Sequence, residues 1–137
     1  MKDPTYQIRQ HFINLISPVT GCPVVNYATQ GITPPYVRVS VTASDASVKC
    51  SRSWNTTTQI FIVVKTGGDY GGDAMTETIA NAILLKITEN LPNYGATTDF
   101  AIVTQTITVN DVYDEITDSG RMFIKQLSVQ NFIDQIT

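Results

Sequence analysis

The fold is decided by residues 34–91, which contain PPYVRVSVTA (34–43), QIFIVVKT (59–66), GGDYGG (67–72) and DAMTETIANAILLKITENL (73–91). The first stretch alternates apolar and polar residues, which predicts a half-buried strand, and its two prolines favour a sheet edge or a strand start. The second stretch is apolar on both faces, which indicates a central strand covered on both sides. The order is therefore strand, strand, glycine loop and helix.

The helix predicted over 73–91 is strongly apolar. Asp73 is a suitable N-cap, and Glu77 lies in the first turns, where the helix dipole favours a carboxylate. One face holds Met75, Ile79, Ala82, Ile83 and Lys86. A second apolar sector, nearly opposite, holds Ala80, Leu84, Ile87 and Leu91. Such a helix needs two covers. The sheet supplies one, and the other is either the N-terminal helix, through Tyr6 and Ile13, or another subunit.

Further elements are predicted on both sides of this block. Residues 5–16 predict a short helix that Pro18 ends, and a turn-rich segment with a candidate short strand near Val24 follows. The apolar face of this helix holds Ile8, Phe12, Leu15 and Ile16. Residues 100–117 and 121–133 predict two long strands, joined by the three-residue turn Asp118-Ser119-Gly120 with glycine at its left-handed position. Apolar alternation weakens at about 113–121, so we expect that tip to project beyond the core.

These elements predict a single α+β domain over residues 1–137. Its sheet is mainly antiparallel, with about four to five strands and two helices packed on it, in the order α-(β)-β-β-α-β-β. The connection at about 44–57 is too long for a tight hairpin turn, and we expect a long loop or a projecting β-arm there. The terminal hairpin spans about 100–133.

Composition restricts the function. Charged residues make up 15% of the chain, below the roughly 25% of soluble domains, and a surface rich in hydroxyls and amides is readily desolvated against neighbours. The net charge is −3, and no basic stretch exists that could bind a row of phosphates. The sequence has no apolar signal region and no run long enough to cross a membrane, so we expect cytosolic folding. Cys22 and Cys50 are predicted to be free thiols.

No catalytic, cofactor or metal site is predicted. The glycine loop lacks a G-K-[ST] motif, and Asp69 and Asp73 disfavour a phosphate, so a flexible connection or a partner contact through Tyr70 is the better interpretation. The hairpin carboxylates match no calcium loop and are expected to face solvent or a partner, with a metal site as the weaker alternative. These are Asp111, Asp114, Glu115 and Asp118. His11, the single histidine, has no nucleophile beside it in the sequence pattern.

The interface hypothesis rests on residues outside the core pattern. Arg and Trp are enriched where partners bind, and Trp54, the single tryptophan, lies in the predicted loop. It either folds back over the sheet or anchors another subunit. The candidate interface residues are Tyr36, Arg38, Arg52, Trp54, Tyr70, Leu84, Tyr113 and Glu115.

The whole layout resembles the tail terminator, or tail-completion, family of tailed bacteriophages and related head–tail joining ring proteins. The resemblance covers most of the chain and rests on the order of its segments. They are the N-terminal helix, TPPYVRV (33–39), QIFIVV (59–64), the helix with TIANAIL (78–84) and the terminal hairpin. The hairpin over 101–133 is longer than the family pattern.

The resemblance implies a structural protein and not an enzyme. It would form a homo-oligomeric ring, with six subunits favoured and twelve possible, at the neck or tail end of a virion assembled in the host cytoplasm. The ring would terminate the tail or join head to tail, contact connector or tail-tube proteins, and let DNA pass through its lumen without specific binding. The alternative is a small α/β module that binds a ligand or peptide between the glycine loop and the acidic hairpin.

Overall fold

The computed structural model describes residues 2–26, 35–46, 52–66, 72–89, 97, 99–110, 113–117 and 120–136. Within them lie two helices and six strands. They are α1 (Thr5–Thr20), β1 (Val24–Val25), β2 (Tyr36–Asp45), β3 (Ser53–Thr66), α2 (Gly72–Glu89), β4 (Phe100–Val109), β5 (Tyr113–Thr117) and β6 (Gly120–Gln135). The predicted α+β class and the order of its elements are confirmed. The one additional strand arises because the strand predicted over 100–117 is divided into β4 and β5.

The six strands form one sheet in the order β1-β2-β3-β6-β4, and β5 pairs with β6 beyond the end of β4. All pairs are antiparallel except β1 with β2. The long strands β3 and β6 occupy the centre and pair over their whole common length, from Ser53 opposite Asp134 to Thr66 opposite Arg121. They form the framework on which both helices and both edge strands are placed.

The hydrophobic core lies between the sheet and the two helices, on what we call the helix face. Both helices contact strands, and they also contact each other. Strand residues reach this core at alternating positions, as the two-residue period of a strand requires. The buried core includes Ile8, Phe12 and Ile16 of α1, Ile79, Ile83 and Ile87 of α2, and Val39, Ile60, Ile62, Leu127 and Ile133 of the sheet.

Both helices differ in detail from their predictions. Pro18 lies inside α1 and does not end it, because a proline removes only one backbone donor. The helix continues to Thr20, and Gly21 ends it with a φ of 69°. The second apolar sector of α2 does not face away from the first. Ala80 and Ile87 are buried with Ile79 and Ile83, and Leu84 packs at the edge of the same core. Successive residues of an α-helix lie 100° apart around its axis, so the two predicted sectors are neighbours and form one broad apolar side of α2.

The two connections predicted to project are shorter than expected. Strand β2 continues to Asp45, and β3 already begins at Ser53, so half of the segment predicted over 44–57 as a long loop or a projecting β-arm is paired strand. Its Ser, Thr and Asn residues carry no apolar pattern, yet the threonines suit a pleated sheet. At the other end, β6 pairs with β3 as far as Arg121, which keeps the described part of the hairpin tip inside the sheet. Thr117 pairs with Gly120, so Gly120, predicted to be the last residue of the turn, belongs to strand β6.

Candidate functional site

The candidate site is the face of the sheet opposite the helices, which we call the open face. No described helix or strand packs over it. Directly opposed residues of antiparallel strands point to the same side, so the pairing register defines its members. From β2, β3, β6 and β4 in turn they are Tyr36, Arg38, Ser40, Thr42 and Ser44; Asn55, Thr57, Gln59, Phe61, Val63 and Lys65; Met122, Ile124, Gln126, Ser128, Gln130 and Phe132; and Thr104, Thr106 and Thr108.

The middle of the open face is polar and uncharged. Three successive rows cross four strands there, and of their twelve positions only Phe132 lacks a hydroxyl or amide side chain. We call these rows the polar patch. They are Ser40, Gln59, Ser128 and Thr108; Thr42, Thr57, Gln130 and Thr106; and Ser44, Asn55, Phe132 and Thr104. Their shared property is that neutral hydroxyl and amide groups cost less to desolvate than charged groups, provided that the covering surface supplies hydrogen-bond partners.

One end of the open face is apolar, and we call it the aromatic end. The guanidinium of Arg38 lies 4.5 Å from the ring centroid of Phe61, which is within the range of a cation–π contact. Tyr36, Val63 and Ile124 line an open depression together with these two residues. Val63 is only 5% exposed although it points away from the helices. A depression with apolar walls and one half-buried cation is suited to binding another protein surface.

The predicted interface residues do not form one cluster. Tyr36 and Arg38 lie together at the aromatic end, and the backbone register places Tyr113 in the row of Tyr36, beyond Val63 and Ile124. Glu115 pairs with Met122 in the next row. For these two residues of β5 the description is limited to the backbone. Tyr70 lies outside the described residues.

The other three predicted residues lie elsewhere. Trp54 points to the helix face, where it is half-buried and packs against the core, as does Leu84 of α2. The indole N–H of Trp54 is buried, and none of the described residues accepts a hydrogen bond from it. Arg52 is exposed just before β3, and its carbonyl oxygen accepts a hydrogen bond from the backbone N–H of Gln135 at 2.9 Å.

The sequence pattern identified part of this site. The apolar residues on both sides of β3 predicted a second cover, and Phe61 and Val63 do lie on the open face. That second cover is not among the described residues, so β3 is central but covered on one side only. Ile124 and the polar patch were missed, because they become neighbours through pairings that join residues more than 60 positions apart. Alternation in β6 was the signal that could have revealed them.

The described residues do not favour metal or thiol chemistry. No group of three potential metal ligands occurs among them. Burial raises the pKa of the Cys22 thiol, which keeps it protonated and weakly nucleophilic. Burial also lowers the pKa of His11, whose ring stands edge-on to Phe12 at 5.1 Å. Cys22 is a free thiol, as predicted, whereas Cys50, the glycine loop, Asp111 and Asp118 lie outside the described residues.

Comparisons with known proteins identify the fold. No protein-family model matches this chain, and no curated protein matches its sequence. A chain in the solved structure of the virion of the native gene transfer agent (GTA) particle superimposes on it with a TM-score of 0.64. The match covers 95% of each chain at 13% sequence identity. This likeness shows a shared fold across the whole domain. In the part of the chain that the structure describes, no helix is long and apolar enough to span a membrane.

Proposed function

We propose that this chain is a structural protein of a phage-like virion and forms a ring at the neck or at the end of the tail. There it terminates the tail or joins head to tail. The observation that carries the proposal is the open face, a surface across four strands that combines an uncharged polar patch with an aromatic end. Its fold over 95% of the chain is that of a protein found in a GTA virion, which supports the same kind of role.

The open face has the chemistry of an assembly surface. Large apolar residues at a protein surface, when rimmed by polar groups, mark sites where proteins meet. Phe61 and Ile124 provide the apolar centre, and Arg38 adds a cation that can pair with a carboxylate of a neighbour. The low charge of the chain reduces the desolvation cost of such contacts. Nothing in these groups requires a reaction, so the proposed role is structural and not enzymatic.

The same chemistry suits a passage for DNA. A ring that turned its polar patches inward would line its lumen with hydroxyl and amide groups. These groups form no ion pairs with phosphates, and the net charge of −3 on each copy adds mild repulsion. DNA would therefore slide through without specific binding. On this proposal the protein assembles in the host cytoplasm, six copies being favoured, and resides in the virion beside connector or tail-tube proteins.

Mass and shape in solution test the proposal. Light scattering after size exclusion should give a multiple of the 15.1 kDa chain mass that remains constant on dilution through the micromolar range. Negative-stain images of the same fraction should show closed rings of one size. A particle that stays monomeric at the highest attainable concentration, with no rings in the images, would contradict the proposed function.

A further inference from the structure

Strand β4 has an unusually bare edge. One side pairs with β6, and no described residue pairs with the other. Its sequence, FAIVTQTITV, contains no charged residue, proline or glycine over ten positions. A register shift between Ile102 and Thr104 interrupts the pairing of its first part, but residues 104–109 pair regularly with β6. Val103 and Val109 are 42% and 47% exposed.

A strand edge of this kind is expected to pair with another strand. Free backbone N–H and C=O groups along an edge attract any other strand, and proteins usually block them with charges, prolines or a covering element. Within the described ranges, the register shift is the single one of these devices on β4, and residues 104–109 beyond it have none. A bare edge of this length either aggregates or belongs to a specific interface.

The opposite edge of the sheet is also open. Strand β1 pairs with β2 only at Val37 and Arg38, so residues 39–44 have no strand partner on their outer side within the described part of the chain. This run, VSVTAS, carries no charge. The two open edges, 39–44 and 104–109, are therefore equal in length and both uncharged.

The topology makes the two edges complementary. Strands β2, β3, β6 and β4 are successively antiparallel, so β4 runs opposite to β2. Copies related by rotation about a ring axis keep the same direction along that axis. The β4 edge of one copy therefore meets the β2 edge of the next in the antiparallel sense. Thr42 and Thr106 stand at the two ends of one row, so the edges also lie at the same height.

We propose that the β4 edge of each copy pairs with the β2 edge of the next copy, so that one antiparallel sheet continues around the ring. The partner is a second copy of this chain, in a head-to-tail contact that uses two different edges. This inference rests on the proposed function, because it specifies the contact by which the ring closes. Joining the edges in this way also joins the polar patches of neighbouring copies into continuous rows.

Cysteine cross-linking tests the contact. In a background with Cys22→Ser and Cys50→Ser, the double variant Thr42→Cys/Thr106→Cys places two thiols at the ends of one row. Within one chain they are three strand spacings apart, about 14 Å, which is too far for a disulfide. Across the proposed junction, opposed Cα atoms come within about 4.5–5.5 Å. Mild oxidation should then give a ladder of covalent oligomers up to the ring size.

Controls separate this inference from the proposed function. Each single variant should remain monomeric on a non-reducing gel, and so should Thr57→Cys/Gln130→Cys, whose two thiols lie inside one chain's sheet. Thr42→Cys/Thr104→Cys and Thr42→Cys/Thr108→Cys allow for a shift of two residues in the register. Rings without a ladder from any of the three pairs would overturn the edge contact and leave the ring intact. Dimers from a single variant would indicate like-with-like pairing and would also overturn it. If light scattering shows that the background protein is monomeric in solution, both the ring and the edge contact are refuted.

Discussion

The two faces of the sheet are built from the same strands, yet they differ in almost every property. On the helix face, β3 places Ile60, Ile62 and Val64 in a core where each is at most 1% exposed. On the open face, the residues between them place Phe61 and Val63 beside Arg38, followed by rows of hydroxyl and amide groups. The helix face is covered by α1 and α2 of the same chain. The open face has no cover among the described residues: its polar patch suits the wall of a lumen, and its aromatic end suits contact with another protein.

The largest expected effect contrasts two adjacent residues of β3. Ile60→Ala removes a fully buried side chain and should lower the free energy of unfolding by about 3 kcal/mol. Phe61→Ala removes a half-buried one, so we expect a loss below about 1.5 kcal/mol together with weaker assembly. Chemical denaturation of dilute, unassembled protein and light scattering of concentrated protein give the two readouts. A core-like loss for Phe61→Ala with assembly unchanged would remove the distinction between the faces.

A buried charge on the helix face gives the next largest effect. The ammonium of Lys125, 7% exposed, lies 2.8 Å from the Glu77 carboxylate of α2. Glu77→Ala leaves this ammonium without that partner and should cost about 2–3 kcal/mol, less than for a fully buried pair because Glu77 is 48% exposed. The matched control is Glu89→Ala, which removes an exposed partner of Lys86 at 3.9 Å. That change should cost less than about 0.5 kcal/mol. Equal losses in denaturation would contradict this ranking.

Trp54 tests whether a predicted interface residue belongs to the helix face. Because its side chain packs against the core, Trp54→Ala should lower stability by about 2 kcal/mol and leave assembly at working concentration intact. Denaturation and sizing of the same preparation measure both quantities. If melting is nearly unchanged and assembly is lost, Trp54 is an intersubunit anchor instead.

The smallest effect should be a gain. The hydroxyl of Thr58 is buried on the helix face and has no hydrogen-bond partner among the residues that the structure describes. Thr58→Val keeps the shape and removes that unsatisfied group, so we expect stability to rise by about 1 kcal/mol. Its neighbour Thr57 lies on the open face, and Thr57→Val should change stability by less than about 0.3 kcal/mol. A loss of stability in Thr58→Val would indicate that its hydroxyl has a partner, such as a bound water.

Local pattern was sufficient for the fold class and the order of its elements, and long-range pairing explains what it missed. Alternation from Val37 to Val41 and the apolar run from Ile60 to Val64 identified β2 and β3. Residues 53–57 were assigned to a long loop or a projecting β-arm. Their Thr and Asn side chains do not indicate a strand by themselves, and these residues become strand only through pairing with β6. The aromatic end was identified only in part for the same reason. Phe61 was visible as the second face of a strand, but its neighbour Ile124 depends on a register that no local window contains.

Hydrogen exchange tests most directly whether copies meet at the open edges of the sheet. The outward-pointing backbone amides, every second one within residues 39–44 and 104–109, should exchange several-fold more slowly in concentrated, assembled protein than in the same protein diluted to monomers, because such an amide is protected only when another strand pairs with it. Amides of α2 should exchange at the same rate in both samples. Assembly with no added protection at either edge, and new protection on the helices instead, would contradict an interface at the sheet.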